Sequence, residues 1–455
     1  MVRAFRQERR SNRMLEGLEN KTARALAREI RDKKMGVEEL TRAYLERIEV
    51  FDGPEGLNAV AELAPGILEE ARRMDGEAPG ERPLFGLPVL VKDNIDVRGL
   101  PTTTGSPALN DNVARKDAKV VENLRKNGAL ILGKTNMTEF ANYTTQGMPA
   151  GFSSRGGQVR NAYGRALSPS GSSSGSAVAV SAGFCAAAMG TDTSFSVVGC
   201  ATANGVAGLK PAIGSLPAGG VLPLARSLDS AGPLARDMGD SLLLYSGMRG
   251  VPLPQIKAAG VKGLRIAVNT WGREQVSDAQ LGLYDEVFRK LKRDGGRVEE
   301  VSHPNPQGQK ALMRCEFRRD LEEYLSTASA SRKNLREVVE FYEENPETMM
   351  KYGITYLREA LESGPEEDAY RQALEERARM REEILASLKN FDACVMTGPC
   401  SVMHFTGLPS AALPLGVGKD GAPRGMILYG ADERRLFAAA LAVEAYCPSA
   451  VPPKL

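Results

Sequence analysis

The sequence predicts an α/β fold, on three observations. From Phe85 the chain breaks into short β-branched runs punctuated by glycine and proline; helical stretches separate those runs; and two more apolar runs follow a long charged helical segment. Taken in order, the first element is a helical hairpin. Thr22 is placed as an N-cap ahead of Leu26 and Ile30, and after Gly36 the residues Val37, Leu40, Tyr44 and Ile48 recur at helical spacing. Strands are expected at Pro88–Val91, Ala129–Leu132 and Gly205–Leu209, with helices at Ala118–Lys126 and Ala177–Met189 between them. From Leu281 to Lys389, Glu, Arg and Leu recur at helical spacing (Leu321, Tyr324, Leu325; Val338, Val339, Phe341, Tyr342), with breaks at Pro346 and Pro365. The charge there is a solvated helix face. Phe391–Val395 and Ala411–Leu415 read as strands rejoining the first sheet, and Glu433–Glu444 as a closing helix. Neither repeat nor linker is visible, so the chain is taken as one domain over 1–455. Its parts are N-terminal helices (1–75), a core (76–250), a largely helical insertion (251–390) and a returning segment (391–455).

With 455 residues, 42% hydrophobic and 25% charged, the chain is globular and long enough for a large core. Its formal charge of +2 gives no reason to expect nucleic acid or a membrane surface as partner. No apolar run approaches the roughly 18 to 20 residues that span a bilayer. Arg3, Arg6, Arg9, Arg10 and Arg13 precede no apolar core, so a basic tail is expected there and no secretory signal. Six scattered cysteines form no CxxC pair and read as reduced thiols of a cytoplasmic protein. Only two histidines occur, His303 and His404, so a histidine-rich metal site is excluded and histidine-free catalysis comes to the fore.

Three segments carry the chemistry. Ser168–Ser176 holds six serines in nine residues and opens onto the Ala-rich helix, where exposed amides suit a structured loop better than a linker. Within it, Gly171–Gly175 satisfies G-x-S-x-G, which would make Ser173 a nucleophile with His303 or His404 as base; the polar, turn-rich Gly164–Pro169 before it lacks the strand an elbow needs. Lys92 closes the apolar run from Pro88, so burial should push it toward the neutral form of a general base, or pair it with Asp93 or Asp96. Gly190–Ser196 is a small-residue turn whose N–H groups could form an anion nest. Together these supply what acyl transfer requires.

In combination these segments resemble the amidase signature family, serine hydrolases with a Ser-Ser-Lys triad. Ser170–Ser176 is similar to the family's G-G-S-S-G-G-S, Gly190–Ser196 to its G-T-D-T-G-G-S, and Gly86–Asn94 to its G-x-P-x-x-x-K-D. Ser172 and Ser196 stand twenty-four residues apart, as in the family. Gly133–Phe140, Gly208–Pro211 and Thr406–Pro409 match as well. Phe152–Gly157, the triple serine and the Glu316–Ala360 pattern look most similar to the peptide amidase branch. The A-type chain of tRNA-dependent amidotransferases is less similar, because it carries an arginine where Val198 stands.

The resemblance implies a central mixed β-sheet covered by helices on both sides, and hydrolysis of a small-molecule or peptide amide with neither metal nor cofactor. It implies Ser196 as nucleophile, Ser172 as a relay following a cis peptide bond, Lys92 as base, and the N–H groups of Thr193, Ser194, Phe195 and Ser196 as oxyanion donors. It leaves a homodimer open. Ser170 and Ser174 replace glycines, which is tolerated where φ stays negative. Phe195 replaces the glycine before the nucleophile. Either its ring narrows the acyl site, at negative φ, or it disturbs the oxyanion turn, giving a catalytically reduced binding or scaffold homologue. His404 stands near where many relatives carry asparagine and is expected to pack.

Overall fold

The computed structural model describes residues 17–251, 256–362 and 367–455. The arginine-rich stretch ending at Arg13 and the break expected at Pro365 lie outside them. The opening hairpin forms as its spacing requires. The Thr22 hydroxyl accepts the Ala25 N–H and starts a helix over Ala23–Arg31, and a second helix runs Val37–Phe51. Leu26, Ile30, Leu40, Tyr44 and Ile48 are buried along one stripe of each helix.

In chain order the strands are β1 (Val60–Leu63), β2 (Pro88–Lys92), β3 (Leu130–Thr135), β4 (Phe152–Ser153), β5 (Gly157–Gln158), β6 (Ala187–Asp192), β7 (Ala207–Lys210), β8 (Ser230–Ala235), β9 (Arg265–Asn269), β10 (Arg297–Val301), β11 (Ala393–Met396), β12 (Ser410–Val417) and β13 (Pro423–Tyr429). β4 and β5 pair with each other; the rest form one mixed sheet in the order β1-β3-β2-β6-β8-β7-β12-β13-β11-β9-β10. Strands β3, β2 and β6 run parallel, as do β11, β9 and β10, and antiparallel pairs join the two groups. Every residue of β2, β3, β6, β7 and β8 is buried, so helices and loops cover both faces of the centre.

Two expectations are corrected. The Ala-rich helix covers Ser174–Ser181, not the stretch to Met189; Gly183, at φ +72, stands just beyond its end, and Ala187–Asp192 leave as β6. An unbroken apolar run fits a buried strand as well as a buried helix. The stretch from Leu281 to Lys389, read as helical, also contains a strand, β10. β9 and β10 flank the Asp278–Arg293 helix as a parallel pair at the sheet edge. The remaining helices of that segment include Gln309–Thr327 and Thr355–Glu362, which wall the cavity described below.

Register sets the site. Val89, Leu90 and Val91 lie opposite Ala187, Ala188 and Met189, so Lys92 emerges beside the Gly190–Asp192 end of β6. The carboxyl ends of parallel strands, where an open α/β sheet leaves room for a ligand, therefore collect the motifs.

Candidate active site

Lys92 is the last residue of β2 and wholly buried. Its Nζ lies 2.7 Å from Ser172 Oγ, 2.8 Å from Thr191 Oγ1 and 3.2 Å from the Thr191 carbonyl oxygen. Asn94 Nδ2 donates to the same Thr191 hydroxyl at 3.1 Å. Burial lowers the Lys92 pKa to about 8, against the opposing influence of Cys200, Asp192 and Asp229. As an ammonium, Nζ donates to Ser172 Oγ and to the two Thr191 oxygens; on losing a proton it keeps two N–H donors and gains a lone pair that can accept from the Ser172 hydroxyl.

The serine loop is ordered and leads directly into the Ser174–Ser181 helix. The Gly171–Ser172 peptide is cis, and Ser172, Ser173 and Ser174 are all buried. A Cβ on Gly171 would clash with Thr138 Oγ1, which already accepts the Gly151 N–H, so a larger residue there would displace that hydroxyl. The Ser173 hydroxyl donates to the Thr191 carbonyl at 3.1 Å and accepts the Thr191 N–H at 3.3 Å, while its own N–H reaches the Ser196 carbonyl at 3.3 Å. Ser173 is thus spent on tying the two motifs together. His303 lies between Tyr429 and Ser387, and burial pushes it down to about 4. Ser170 departs from expectation, because it sits at φ +59 in the left-handed region that glycine would occupy without strain.

The turn after β6 is held from several sides. Asp192 Oδ2 accepts the N–H groups of Val197 at 2.7 Å and Val198 at 3.1 Å, fixing the start of the helix Val198–Ala203. Thr193 Oγ1 donates to Asp229 Oδ1 at 2.5 Å, and Asp229 Oδ2 accepts the N–H groups of Leu224 and Ala225. Phe195 sits at φ +66, a conformation that costs a bulky L-residue about 1–3 kcal/mol. Two expectations about it are therefore corrected. Its φ is positive, and its ring does not line the cavity beside Ser196 but packs edge-on against His404, with centroids 4.4 Å apart. Its N–H, expected among the oxyanion donors, already donates to His404 Nε2 at 3.3 Å. His404 is more than a packing residue, since Nδ1 lies 3.2 Å from Asp192 Oδ1.

Ser196, Ser194, Thr193 and Gly171 line a cavity of about 590 Å³. Its walls include Tyr143, Leu224, Met313 and Tyr356, with Lys310, Arg314 and Glu359 as charged members. Ala141 and Asn142 also line it, within a run of three left-handed residues, Phe140 (φ 46), Ala141 (φ 54) and Asn142 (φ 73). Nothing in the residue types announces that turn. Of the residues singled out from sequence, Lys92 and Ser172 are in contact with each other and Ser196 lines the cavity beside Gly171, whereas the supporting contacts of Asp192, Thr191, Asp229 and His404 were missed. The hydrogen bonds that Thr191, Asp229 and His404 make to Lys92, Asn94, Thr193 and Phe195 join residues 36 to 209 apart in the chain, and only the departure at Phe195 left a trace in the sequence.

The Amidase family model matches residues 39–401 of the chain. A probable amidase from Arabidopsis thaliana is 31% identical over 466 residues, covering 93% of this chain and 89% of its own length. The A-type chain of the glutamyl-tRNA(Gln) amidotransferase from Exiguobacterium sibiricum is 31% identical over 486 residues, 94% of this chain and 97% of its own. Among solved structures, the native peptide amidase from Stenotrophomonas maltophilia superposes with a TM-score of 0.85 at 32% identity, over 95% of this chain and 98% of that one.

Proposed function

The chain belongs to the amidase family, and from that premise we propose that it hydrolyses a carboxamide C–N bond through an acyl-enzyme on Ser196, with Ser172 as relay and Lys92 as general base. The observation that carries this reading is the buried 2.7 Å contact between Lys92 Nζ and the Oγ of Ser172, one residue along the chain from Gly171, which lines the same cavity as Ser196. Ser196 Oγ attacks the amide carbon. Its proton passes to Ser172, whose own proton passes to the lone pair of neutral Lys92. Reversal of the relay protonates the departing nitrogen, so that ammonia or an amine leaves, and water then attacks the acyl-enzyme by the same route to give the carboxylate.

The developing oxyanion is held by the N–H groups of Thr193 and Ser194 with that of Ser196; each such donor contributes about 3 kcal/mol to the transition state. Phe195 is left out of this set because its N–H is committed to His404. No cofactor enters any step. A cavity of about 590 Å³ has room for an acyl group much larger than acetyl, which favours peptide C-terminal or aryl amides. All six cysteines are unpaired, which suits a cytoplasmic protein, and no helix among the described residues is long and apolar enough to cross a membrane.

An amidotransferase A-type role is the second reading, favoured by the relative from Exiguobacterium sibiricum and disfavoured by Val198. Ammonia release by the purified chain from a panel of carboxamides decides. Turnover without any partner chain supports the amidase, and turnover only of glutamine beside added partner chains supports the alternative.

A further inference from the structure

Ser196 is flanked on both sides by backbone that is tied to a single buried pair. Before it, the Phe195 N–H donates to His404 Nε2 at 3.3 Å, and the phenyl ring packs on the same imidazole. After it, the N–H groups of Val197 and Val198 donate to Asp192 Oδ2. The two halves meet where His404 Nδ1 lies 3.2 Å from Asp192 Oδ1, a close approach within ion-pair distance but outside hydrogen-bond geometry, and neither of those buried atoms has a hydrogen-bond partner among the described residues. An Nε2 that accepts an N–H must carry a lone pair, which places the ring proton on Nδ1, facing the carboxylate. Burial keeps the imidazole neutral although Asp192 favours its charged form; Lys210 disfavours it.

We propose that His404 is a positioning residue for amide hydrolysis: with Asp192 it clamps the backbone on both sides of Ser196, and so aims the serine hydroxyl and the Thr193 and Ser194 N–H groups at the cavity. This inference rests on the amidase reading. It also explains how phenylalanine is accommodated at a left-handed position. His404 supplies both an acceptor for the amide and a face for the ring, so Phe195 and His404 act as one unit.

The test compares His404→Gln, His404→Asn and His404→Ala, followed by Phe195→Gly alone and combined with His404→Ala. Glutamine puts a carbonyl oxygen where Nε2 stood, whereas asparagine reaches only to the place of Nδ1 and leaves the Phe195 N–H without a partner. His404→Ala and His404→Asn should lower kcat about ten- to a hundredfold with little change in KM, as expected when reacting groups are displaced by a fraction of an ångström to one ångström. His404→Gln should recover most of that loss. The midpoint of the pH profile should not move in any variant, because Lys92 is untouched. A His404→Gln protein no better than His404→Ala, or a loss carried by KM, overturns the proposal. Thermal unfolding of the four proteins of the Phe195→Gly and His404→Ala cycle gives a readout that needs no turnover: non-additive shifts support the clamp and additive shifts refute it. A wild-type protein that releases no ammonia from any amide refutes the amidase reading, and the positioning role with it, while the unfolding cycle still decides whether the clamp exists.

Discussion

Raising the pH from about 7 to about 9 should increase kcat/KM about tenfold, because the general base is a lysine whose pKa burial has lowered to about 8. The sign follows from the charge type. Below about 8 the amine is protonated and cannot accept the Ser172 proton, so activity is lost as the pH falls through that value. With one titration near 8, about one molecule in eleven carries neutral Lys92 at pH 7 and about ten in eleven at pH 9, which sets the ratio. Steady-state ammonia release at low substrate concentration, measured in constant-ionic-strength buffers, reports this free-enzyme titration. Neither histidine accounts for such a limb, since burial pushes His303 down to about 4 and His404 below its usual value. Asp229 is the nearest confounder, because burial raises it to about 7. Asp229→Asn should therefore keep the limb and move its midpoint only downward, since the Asp229 charge raises the Lys92 pKa, while Lys92→Met, which keeps the stem but not the amine, should abolish the limb along with about 10²–10⁴-fold of the rate. A profile that is flat across this range, or a midpoint well below 7, would refute the lysine as base.

Ser172→Ala should lower kcat about 10²–10⁴-fold as the relay is broken, whereas Ser173→Ala, whose hydroxyl bridges the Thr191 backbone, should cost about 1 kcal/mol of stability and far less rate. Equal rate losses at the two positions would contradict the assignment. Asp229→Asn leaves one acceptor oxygen where the Thr193 hydroxyl uses Oδ1 and the Leu224 and Ala225 N–H groups use Oδ2, so it should lower kcat about tenfold through the loosened oxyanion turn and lower stability by about 1–3 kcal/mol in a denaturant titration. Unchanged kcat would remove Asp229 from the support of the site.

Legibility followed locality. β2, β3 and the closing helix Glu433–Glu444 were readable because each is a run of residues whose burial pattern is written in their own order. β1 and β10 were not: Val60–Leu63 and Arg297–Val301 contribute half-exposed edge strands whose charged members resemble the neighbouring helices. Ala177–Met189 split into helix and strand because alanine and valine satisfy either when both faces are buried. At the site, motif spacing singled out Lys92, Ser172 and Ser196, which stand on three segments that the sheet brings together. The supports were hidden, since the Phe195 to His404 bond spans 209 residues and the Thr193 to Asp229 bond 36. Phe195 stood out as a departure, but its left-handed φ and its occupied N–H depend on a partner that no local pattern reveals.

Covalent capture of the nucleophile tests the acyl-enzyme most directly. Incubation with a fluorophosphonate, followed by digestion and mass spectrometry of the modified peptide, should place one adduct on Ser196, with labelling faster at pH 9 than at pH 7 and absent from Ser196→Ala. An adduct on Ser173 in the wild-type protein, or amide turnover retained by purified Ser196→Ala, would contradict it.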